Sequence, residues 1–242
     1  MDIADGRVKK GINFENLRDA GDPVELGKIY SEQGADELVF LDVMATVEER
    51  GALLELVSRV AKEINIPFAV GGGVKTIDDI RSLLNAGADK VSIGSAAVTK
   101  PDLVSVASQE FGAQCIVISV DPKREGDSWK IYIKGGREKT CVDAIKFCKD
   151  MERRGAGELL VNSLDRDGTK QGYDIELLKA ISHAVNLPII ASSGAGRKED
   201  FLEVFLETGA SAALAAGLFH DKKIGIFDLK KYLKDNNINI RI

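Results

Sequence analysis

The sequence predicts an α/β fold, a (β/α)8 barrel built from two similar half-barrels. The first indication is the run Cys115–Asp121, which is apolar and rich in β-branched residues and therefore typical of a strand buried on both faces of a parallel sheet. The second is that such strands alternate with helical segments along the chain. The third is an internal repeat with a period of about half the chain.

The repeat is carried by short motifs. Leu41-Asp42 returns as Leu164-Asp165, and the glycine turn Gly71–Gly73 returns as Ser193–Gly196. We therefore expect one domain over residues 1–242, divided into half-barrels of approximately 1–114 and 115–242. Each half should hold four strand–helix units, which would place the first and fifth strands on opposite sides of the barrel.

The predicted strands are short apolar runs, each followed by a turn or a helix start. Thr76 and Asp79 have the spacing of a capping box at the start of one helix. An alternating segment, Trp129–Lys134, predicts a hairpin inserted after the fifth strand. The remaining predicted strands are Glu37–Asp42, Pro67–Val70, Lys90–Ile93, Glu158–Asn162, Leu187–Ala191 and Ala212–Ala215.

The beginning of the chain departs from this pattern. Only Met1–Ile3 precedes a glycine-containing basic segment, so the sequence predicts a truncated first strand followed by a long loop over residues 4–21. We expect the barrel to be open at this point, or to be completed by residues 1–3, by the alternating tail Ile238–Ile242 or by another chain.

Composition excludes several classes of function. The 242 residues are 44% apolar and carry a formal net charge of −5, which argues against a nucleic-acid-binding surface. No apolar run approaches the ~18 residues that a membrane span requires. The three cysteines lack disulfide or zinc spacing, which favours reduced thiols in a cytoplasmic protein. No metal or cofactor is predicted.

Two aspartates are the candidate catalytic residues. Asp121 ends the most apolar strand, where barrels place their chemistry, although it could instead cap the next element. By the repeat, its counterpart in the first half is Asp2. The two carboxylates should therefore face each other across one rim of the barrel.

Glycine-rich turns predict two phosphate sites. One combines Gly73 with Gly94 and Ser95, and the other combines Gly194 with Ala216-Gly217. Glycine lets backbone amides approach an anion closely, and barrels bind phosphate between neighbouring strand–helix loops. Two such sites half a barrel apart indicate an elongated substrate with a phosphate at each end.

At this level of detail the chain resembles the cyclase subunits of imidazole glycerol phosphate synthase. The resemblance extends through the whole chain, and the matching stretches are Asp5–Val8, Asn13–Asp19, Gly21–Pro23, Asp36–Asp42, Gly87–Ile93, Arg154–Glu158, Asp165–Lys170 and Gly172–Asp174.

The resemblance implies a lyase of histidine biosynthesis. Cyclases of this family use ammonia from a glutaminase partner to convert a bis-phosphate, phosphoribulosyl-formimino-aminoimidazole carboxamide ribonucleotide, into imidazole glycerol phosphate and aminoimidazole carboxamide ribonucleotide. The resemblance assigns general acid–base catalysis to Asp2 and Asp121. It also assigns substrate binding to Lys10, Asp167 and Gly168.

The resemblance also implies an ammonia gate at the bottom face of the barrel, where the glutaminase subunit would bind. Glu37, Lys90 and Glu158 match three charged members of that gate, and Asp89 falls beside them. A plain salt-bridge or interface role is the simpler alternative.

Three other functions stay open on the sequence. The related bis-phosphate isomerase of the same pathway shares the repeat and the phosphate sites but needs no gate. A homologue could aminate another substrate by the same ammonia route. An inactive scaffold that still binds the glutaminase is the third alternative.

Overall fold

The computed structural model describes residues 1–4, 6–12, 15–42 and 50–242. The strands are β1 (Asp2–Ala4), β2 (Arg7–Ile12), β3 (Glu15–Gly21), β4 (Leu38–Asp42), β5 (Phe68–Gly71), β6 (Lys90–Ile93), β7 (Ile116–Glu125), β8 (Ser128–Ile133), β9 (Glu138–Asp143), β10 (Glu158–Asn162), β11 (Ile189–Ser192) and β12 (Ala212–Ala213). The helices are α1 (Pro23–Glu32), α2 (Arg50–Ala61), α3 (Ile77–Asn85), α4 (Ser95–Thr99), α5 (Asp102–Phe111), α6 (Ala144–Arg153), α7 (Ile175–Ser182), α8 (Lys198–Glu207), α9 (Gly217–His220) and α10 (Ile226–Asp235), with a 3-10 turn at Ala113–Cys115.

Eight of these strands form the predicted parallel barrel sheet. Their order is β1, β4, β5, β6, β7, β10, β11 and β12, and each is parallel to the next. Helices connect the consecutive strands, as a parallel sheet requires. The (β/α)8 fold class predicted from the sequence is confirmed, while the division into half-barrels stays a prediction.

The two ends of the sheet are its shortest strands. β1 has three residues and pairs with β4, Asp2 opposite Leu41 and Ile3 opposite Asp42. β12 has two residues and pairs with β11. Over the described ranges no ladder joins β12 to β1. The tail Ile238–Ile242 is irregular and not a strand, so it does not extend the sheet there.

The prediction of a long loop over residues 4–21 is wrong, because the described residues there form two strands. β2 pairs antiparallel with β1, and β3 pairs antiparallel with β2, with two register irregularities. The segment therefore adds a hairpin to the edge that β1 would otherwise expose. An unpaired edge leaves backbone groups without partners, and this hairpin supplies partners for β1.

A second hairpin extends from the middle of the barrel. β7 was predicted to end at Asp121, but it continues to Glu125 and pairs antiparallel with β8, which pairs with β9. The expected hairpin around Trp129–Lys134 is thus present with longer arms. Because β7 continues past Asp121, this residue does not cap a following helix.

The core has two parts. The larger lies between the sheet and the helices, while a small cluster of Val117, Leu160 and Ile190 fills the inside of the barrel. Side chains at alternate positions of a strand share a face, so β7 directs Val117, Ser119 and Asp121 inward. The interior is consequently apolar at mid-height, with polar side chains above and below it.

The capping box predicted at α3 is present and can be tested. Thr76 Oγ1 accepts the Asp79 amide at 3.2 Å, and Asp79 Oδ2 accepts the Thr76 amide at 3.0 Å. We expect Thr76→Ala to lower the free energy of unfolding by about 1 kcal/mol, because the helix loses one of its few N-terminal acceptors. Urea unfolding measures this change.

The matched control is Ser82→Ala in the same helix. Its hydroxyl donates to the Asp78 carbonyl at 2.7 Å, a bond that caps no orphan amide, so the change should stay within about 0.5 kcal/mol. Equal losses in the two variants would contradict a stabilising cap.

Candidate active site

A cavity of about 520 Å³ opens at the carboxyl ends of the barrel strands. Asp2 from β1 and Asp121 from β7 both line it, together with Asn162 from β10 and Asp167 from the loop that follows. The structure thus brings the two sequence-predicted carboxylates into one cavity. Residues of β1 and of the segment after β12 line the same space, so the two ends of the sheet curve round it.

Asp121 is half-buried, with its side chain on the inner face of β7. Burial raises the pKa of its carboxyl to about 6, and the charge of Asp167 adds to the rise, while a hydrogen bond from Asn162 opposes it. Asn162 Nδ2 lies 2.9 Å from Asp121 Oδ1. A carboxyl with this pKa exists in both protonation states near neutrality, which suits proton transfer.

Asp2 has a similar environment on the other side of the cavity. Burial raises the pKa of its carboxyl, the nearby Met1 amino group partly offsets this, and the Asp167 charge adds to it. The backbone of Asp2 is held on both sides, because β1 lies between β2 and β4. Asp167, predicted as a substrate contact, is therefore also the charge that couples to both aspartates.

One of the two predicted phosphate-binding sites lines this cavity. Gly168, Gly194, Ala216 and Gly217 all face it. Three lysines, Lys9, Lys170 and Lys223, line the same space. Ser193, beside Gly194, has φ of +79°, so this turn adopts the left-handed conformation that glycine usually supplies.

The other predicted phosphate-binding site lies outside this cavity. Gly73, Gly94 and Ser95 are not among the described residues that line the cavity. Ser95 Oγ accepts the Lys134 backbone amide at 2.9 Å, which ties the end of β8 to the start of α4. The structure therefore does not unite the two glycine groups in one cavity.

Lys10 was predicted to hold substrate. Its backbone is part of β2, but its side chain lies outside the described part of the chain. The neighbouring Lys9 lines the cavity and lies 3.8 Å from Asp19. Lys9 belongs to the basic segment noted in the sequence, but it was not selected there as a site residue.

The predicted gate residues meet at the opposite end of the barrel. Lys90 Nζ lies 2.9 Å from Glu37 Oε2 and 2.7 Å from Glu158 Oε1. All three are largely buried, with side-chain exposures of 17%, 25% and 20% for Lys90, Glu37 and Glu158. Lys90 and Glu158 begin their strands, and Glu37 precedes the first residue of β4, so the cluster occupies the amino-terminal face.

Charge and burial oppose one another in this cluster. Burial raises the pKa of Glu37, with Lys90 opposing and Glu158 reinforcing the rise. Burial alone would lower the pKa of Lys90, but its hydrogen bonds to both glutamates outweigh this and raise it. Lys90 therefore stays charged as the shared counter-ion of two carboxylates.

Asp89 belongs to the same face but not to the ion cluster. Its Oδ2 accepts the Phe68 amide at 2.9 Å, which fixes the entry of β5. Its charge contributes to the raised pKa of Glu37. The structure thus places Asp89 beside the gate residues, with its carboxylate bonded to the backbone of β5.

Comparisons with known proteins agree with this architecture. The family model described as histidine biosynthesis protein matches residues 1–225. The chain belongs to the histidine biosynthesis protein family. Among relatives named imidazole glycerol phosphate synthase subunit HisF, that of Hydrogenobaculum sp. (strain Y04AAS1) is 58% identical over 243 residues, covering 100% of this chain and 96% of the relative. The HisF of Prochlorococcus marinus (strain MIT 9301) is 55% identical over 244 residues, covering 100% and 95%.

Membership of this family makes the chain an enzyme subunit of histidine biosynthesis with a HisF-type barrel. The resemblance inferred from motifs is thereby confirmed. No helix in the described ranges is both long and apolar enough to cross a membrane. The described residues also contain no cluster of three or more His, Cys, Asp or Glu side chains arranged to hold a metal ion.

Sequence reasoning missed Asn162 as a site residue. Asn162 is the last residue of β10 and Asp121 lies at the same rim on β7, and both line the cavity. A polar residue after the apolar run Leu159–Val161 was the available signal. His220, which also lines the cavity and whose Nδ1 lies 2.6 Å from the Tyr30 hydroxyl, gave no comparable signal.

The ion cluster predicts a specific response to loss of its cation. Lys90→Met would leave two buried carboxylates facing each other, so we expect the free energy of unfolding at pH 8 to fall by roughly 2–3 kcal/mol. Carboxylates whose folded-state pKa is raised destabilise the protein once they ionise, so the loss should shrink as the pH falls toward 5. Urea unfolding across this range measures both effects.

Lys179→Met is the matched control. Lys179 and Glu207 are 2.7 Å apart, but both side chains are about half exposed, so this pair should contribute less than about 1 kcal/mol. An equal, pH-independent loss in both variants would contradict a buried, charge-coupled cluster at Lys90.

Proposed function

We propose that this chain is the cyclase that uses ammonia to convert the bis-phosphate phosphoribulosyl-formimino-aminoimidazole carboxamide ribonucleotide into imidazole glycerol phosphate and aminoimidazole carboxamide ribonucleotide. Asp2 and Asp121 are its proton-transfer pair. The observation that carries the proposal is that these two carboxylates, both half-buried and both with a pKa raised by burial, line one cavity.

The chemistry of the reaction explains why two carboxyls are needed. Addition of ammonia, cleavage of the substrate and closure of the imidazole ring each move protons, and a positioned acid or base accelerates such steps by ~10²–10⁴-fold. A pKa of about 6 lets Asp121 accept a proton in one step and return it in another near neutral pH. Asp2, whose pKa is also raised by burial, supplies the second group.

Substrate binding is proposed at the glycine turns. Gly194, Ala216 and Gly217 would hold one phosphate, with Lys9, Lys170 or Lys223 supplying charge from the same cavity. Gly73, Gly94 and Ser95 would hold the other phosphate farther along the rim. Binding there has to coexist with the hydrogen bond between Lys134 and Ser95, or replace it. Lys10 stays a predicted substrate contact.

Ammonia delivery is proposed through the opposite face. The cluster of Glu37, Lys90 and Glu158 lies at the amino-terminal ends of the strands, and an apolar layer around Leu160 separates it from the cavity. A neutral molecule of the size of ammonia suits an apolar layer that would disfavour ions. The relatives' name implies a partner subunit. We propose that this partner is the expected glutaminase and that it docks on this face, where Asp89 also lies.

The same cluster favours the cyclase over the related isomerase. An isomerase with two phosphate sites has no need of three charged side chains packed together at the bottom of the barrel. Burying these charged side chains costs stability, and a role in ammonia delivery would explain why they are present. A cytoplasmic location also stays a proposal, supported by the three free cysteines, since thiols persist in a reducing compartment.

The test of the proposal is turnover of the bis-phosphate with ammonium salt in the absence of any partner. Asp121→Asn keeps the size of the side chain and its hydrogen-bonding oxygen but cannot exchange a proton. We expect turnover to fall by at least ~10²-fold, measured by formation of aminoimidazole carboxamide ribonucleotide. When turnover is plotted against pH, the wild type should show a limb near pH 6, here called the kinetic limb of Asp121. This limb should be absent from the variant.

Asp165→Asn serves as the control. Asp165 Oδ2 accepts the Arg124 backbone amide at 2.7 Å, a bond that asparagine can also accept, and the residue does not line the cavity. The control should keep wild-type turnover. Full activity of Asp121→Asn would remove Asp121 from the mechanism.

A further inference from the structure

The amide of Asn162 connects two inward side chains of the neighbouring strand. Its Nδ2 donates to Asp121 Oδ1 at 2.9 Å and to Ser119 Oγ at 3.1 Å. Ser119 and Asp121 are two residues apart on β7 and so share the inner face. Asn162 ends β10, whose residues Glu158–Val161 pair with Val117–Val120. The strand register therefore fixes the position of the amide.

An amide nitrogen carries two hydrogens, enough for one bond to the carboxylate and one to the serine hydroxyl. The two contacts hold the amide at two points. An ionised carboxylate can only accept hydrogen bonds, and the nitrogen faces it. Because Asn162 engages Oδ1 of Asp121, the second carboxylate oxygen does not share this bond.

The electrostatic surroundings of Asp121 make the hydrogen bond from Asn162 important. Burial and Asp167 both disfavour the charged form of Asp121, and Asn162 is the side chain whose hydrogen bond favours it. Asp121 lies in a cavity with acidic and basic groups from several elements. The other titratable groups lining it are the Met1 amino group, Asp2, Lys9, Asp167, Lys170, His220, Asp221 and Lys223.

We infer that Asn162 is a positioning residue of the reaction, which orients the Asp121 carboxylate by one oxygen and leaves the other directed to substrate. The inference rests on the proposed proton-transfer role of Asp121. It assigns no direct contact with substrate to Asn162. Its effect is transmitted through the geometry and the charge state of its neighbour.

The decisive variant is Asn162→Leu, which is similar in size but has no donor. The kinetic limb that belongs to Asp121 should move to higher pH by about one unit, because a hydrogen bond to the charged form is lost. The direction is the same whether Asp121 acts as base, on the acidic limb, or as acid, on the alkaline limb. Turnover with ammonium salt is measured at a constant concentration of free ammonia at every pH.

Ser163→Ala is the matched control. Ser163 is the next residue, is buried, and donates to a different carboxylate, Asp174 Oδ2, at 2.9 Å. We expect this variant to lose stability while its pH profile keeps the wild-type position. If Asn162→Leu lowers turnover equally at every pH, as a general structural defect would, the inference is overturned.

A measurement without turnover separates this inference from the proposed function. The Asp121 carboxyl is titrated by carbon NMR in protein labelled at aspartate, with the signal assigned by its loss in Asp121→Asn. An upward shift of the titration in Asn162→Leu supports the hydrogen bond, and an unchanged titration overturns it. A shifted titration with an unshifted kinetic limb would overturn the role in the reaction.

Folding of the variants is checked first by circular dichroism. If Asn162→Leu does not fold, Asn162→Ala is measured in the same way. This variant also removes the donor but leaves space instead of adding apolar volume. Its kinetic limb and its carboxyl titration should shift in the same direction, and unshifted values in the folded protein would overturn the inference.

Discussion

The structure depends on one constraint. Side chains alternate between the two faces of each strand, and the parallel strands all end at the same rim of the barrel. Residues spaced by two along β7 and β10 point into the barrel, so β10 carries Asn162 above Leu160, and β7 carries Ser119 and Asp121 above Val117. Asp121 and Asn162 meet because their strands are neighbours in register. At the other end Lys90 of β6 reaches Glu158 of β10 from the far side of the intervening β7.

This arrangement places ionisable groups where burial works against their charge. At the upper rim the result is a carboxyl with a pKa of about 6. At the lower end, Lys90 serves two glutamates, yet Glu37 Oε1 and Glu158 Oε2 are buried and have no hydrogen-bond partner within the described residues. Buried polar atoms without partners cost stability. Both ends therefore depart from what stability alone would favour, as functional sites commonly do.

The sequence predicted the parts of the site that follow from strand patterns. The β-branched run ending in Asp121 located one catalytic candidate, and the half-chain repeat located Asp2. Glu37, Lys90 and Glu158 were selected through family resemblance, and the structure brings them into contact. The capping box at Thr76 was readable because it depends on local spacing alone.

Other features depend on partners distant in sequence. The hairpin of β2 and β3 has little apolar alternation, so its pairing with β1 could not be read from the segment itself. Asn162 acquires its role from Asp121, a residue of another strand. Gly73, Gly94 and Ser95 have the local pattern of an anion site, but a contact between Ser95 and the second hairpin decides their surroundings.

The central claim is that Asp2 and Asp121 act on one reaction from one cavity. Its most direct test compares the turnover of the bis-phosphate with ammonium salt in Asp2→Asn, in Asp121→Asn and in the double variant. Groups that act as a unit show strongly non-additive losses, so the double variant should lie within about tenfold of the weaker single variant. A double loss equal to the product of two large single losses, or wild-type turnover in Asp2→Asn, would contradict the account.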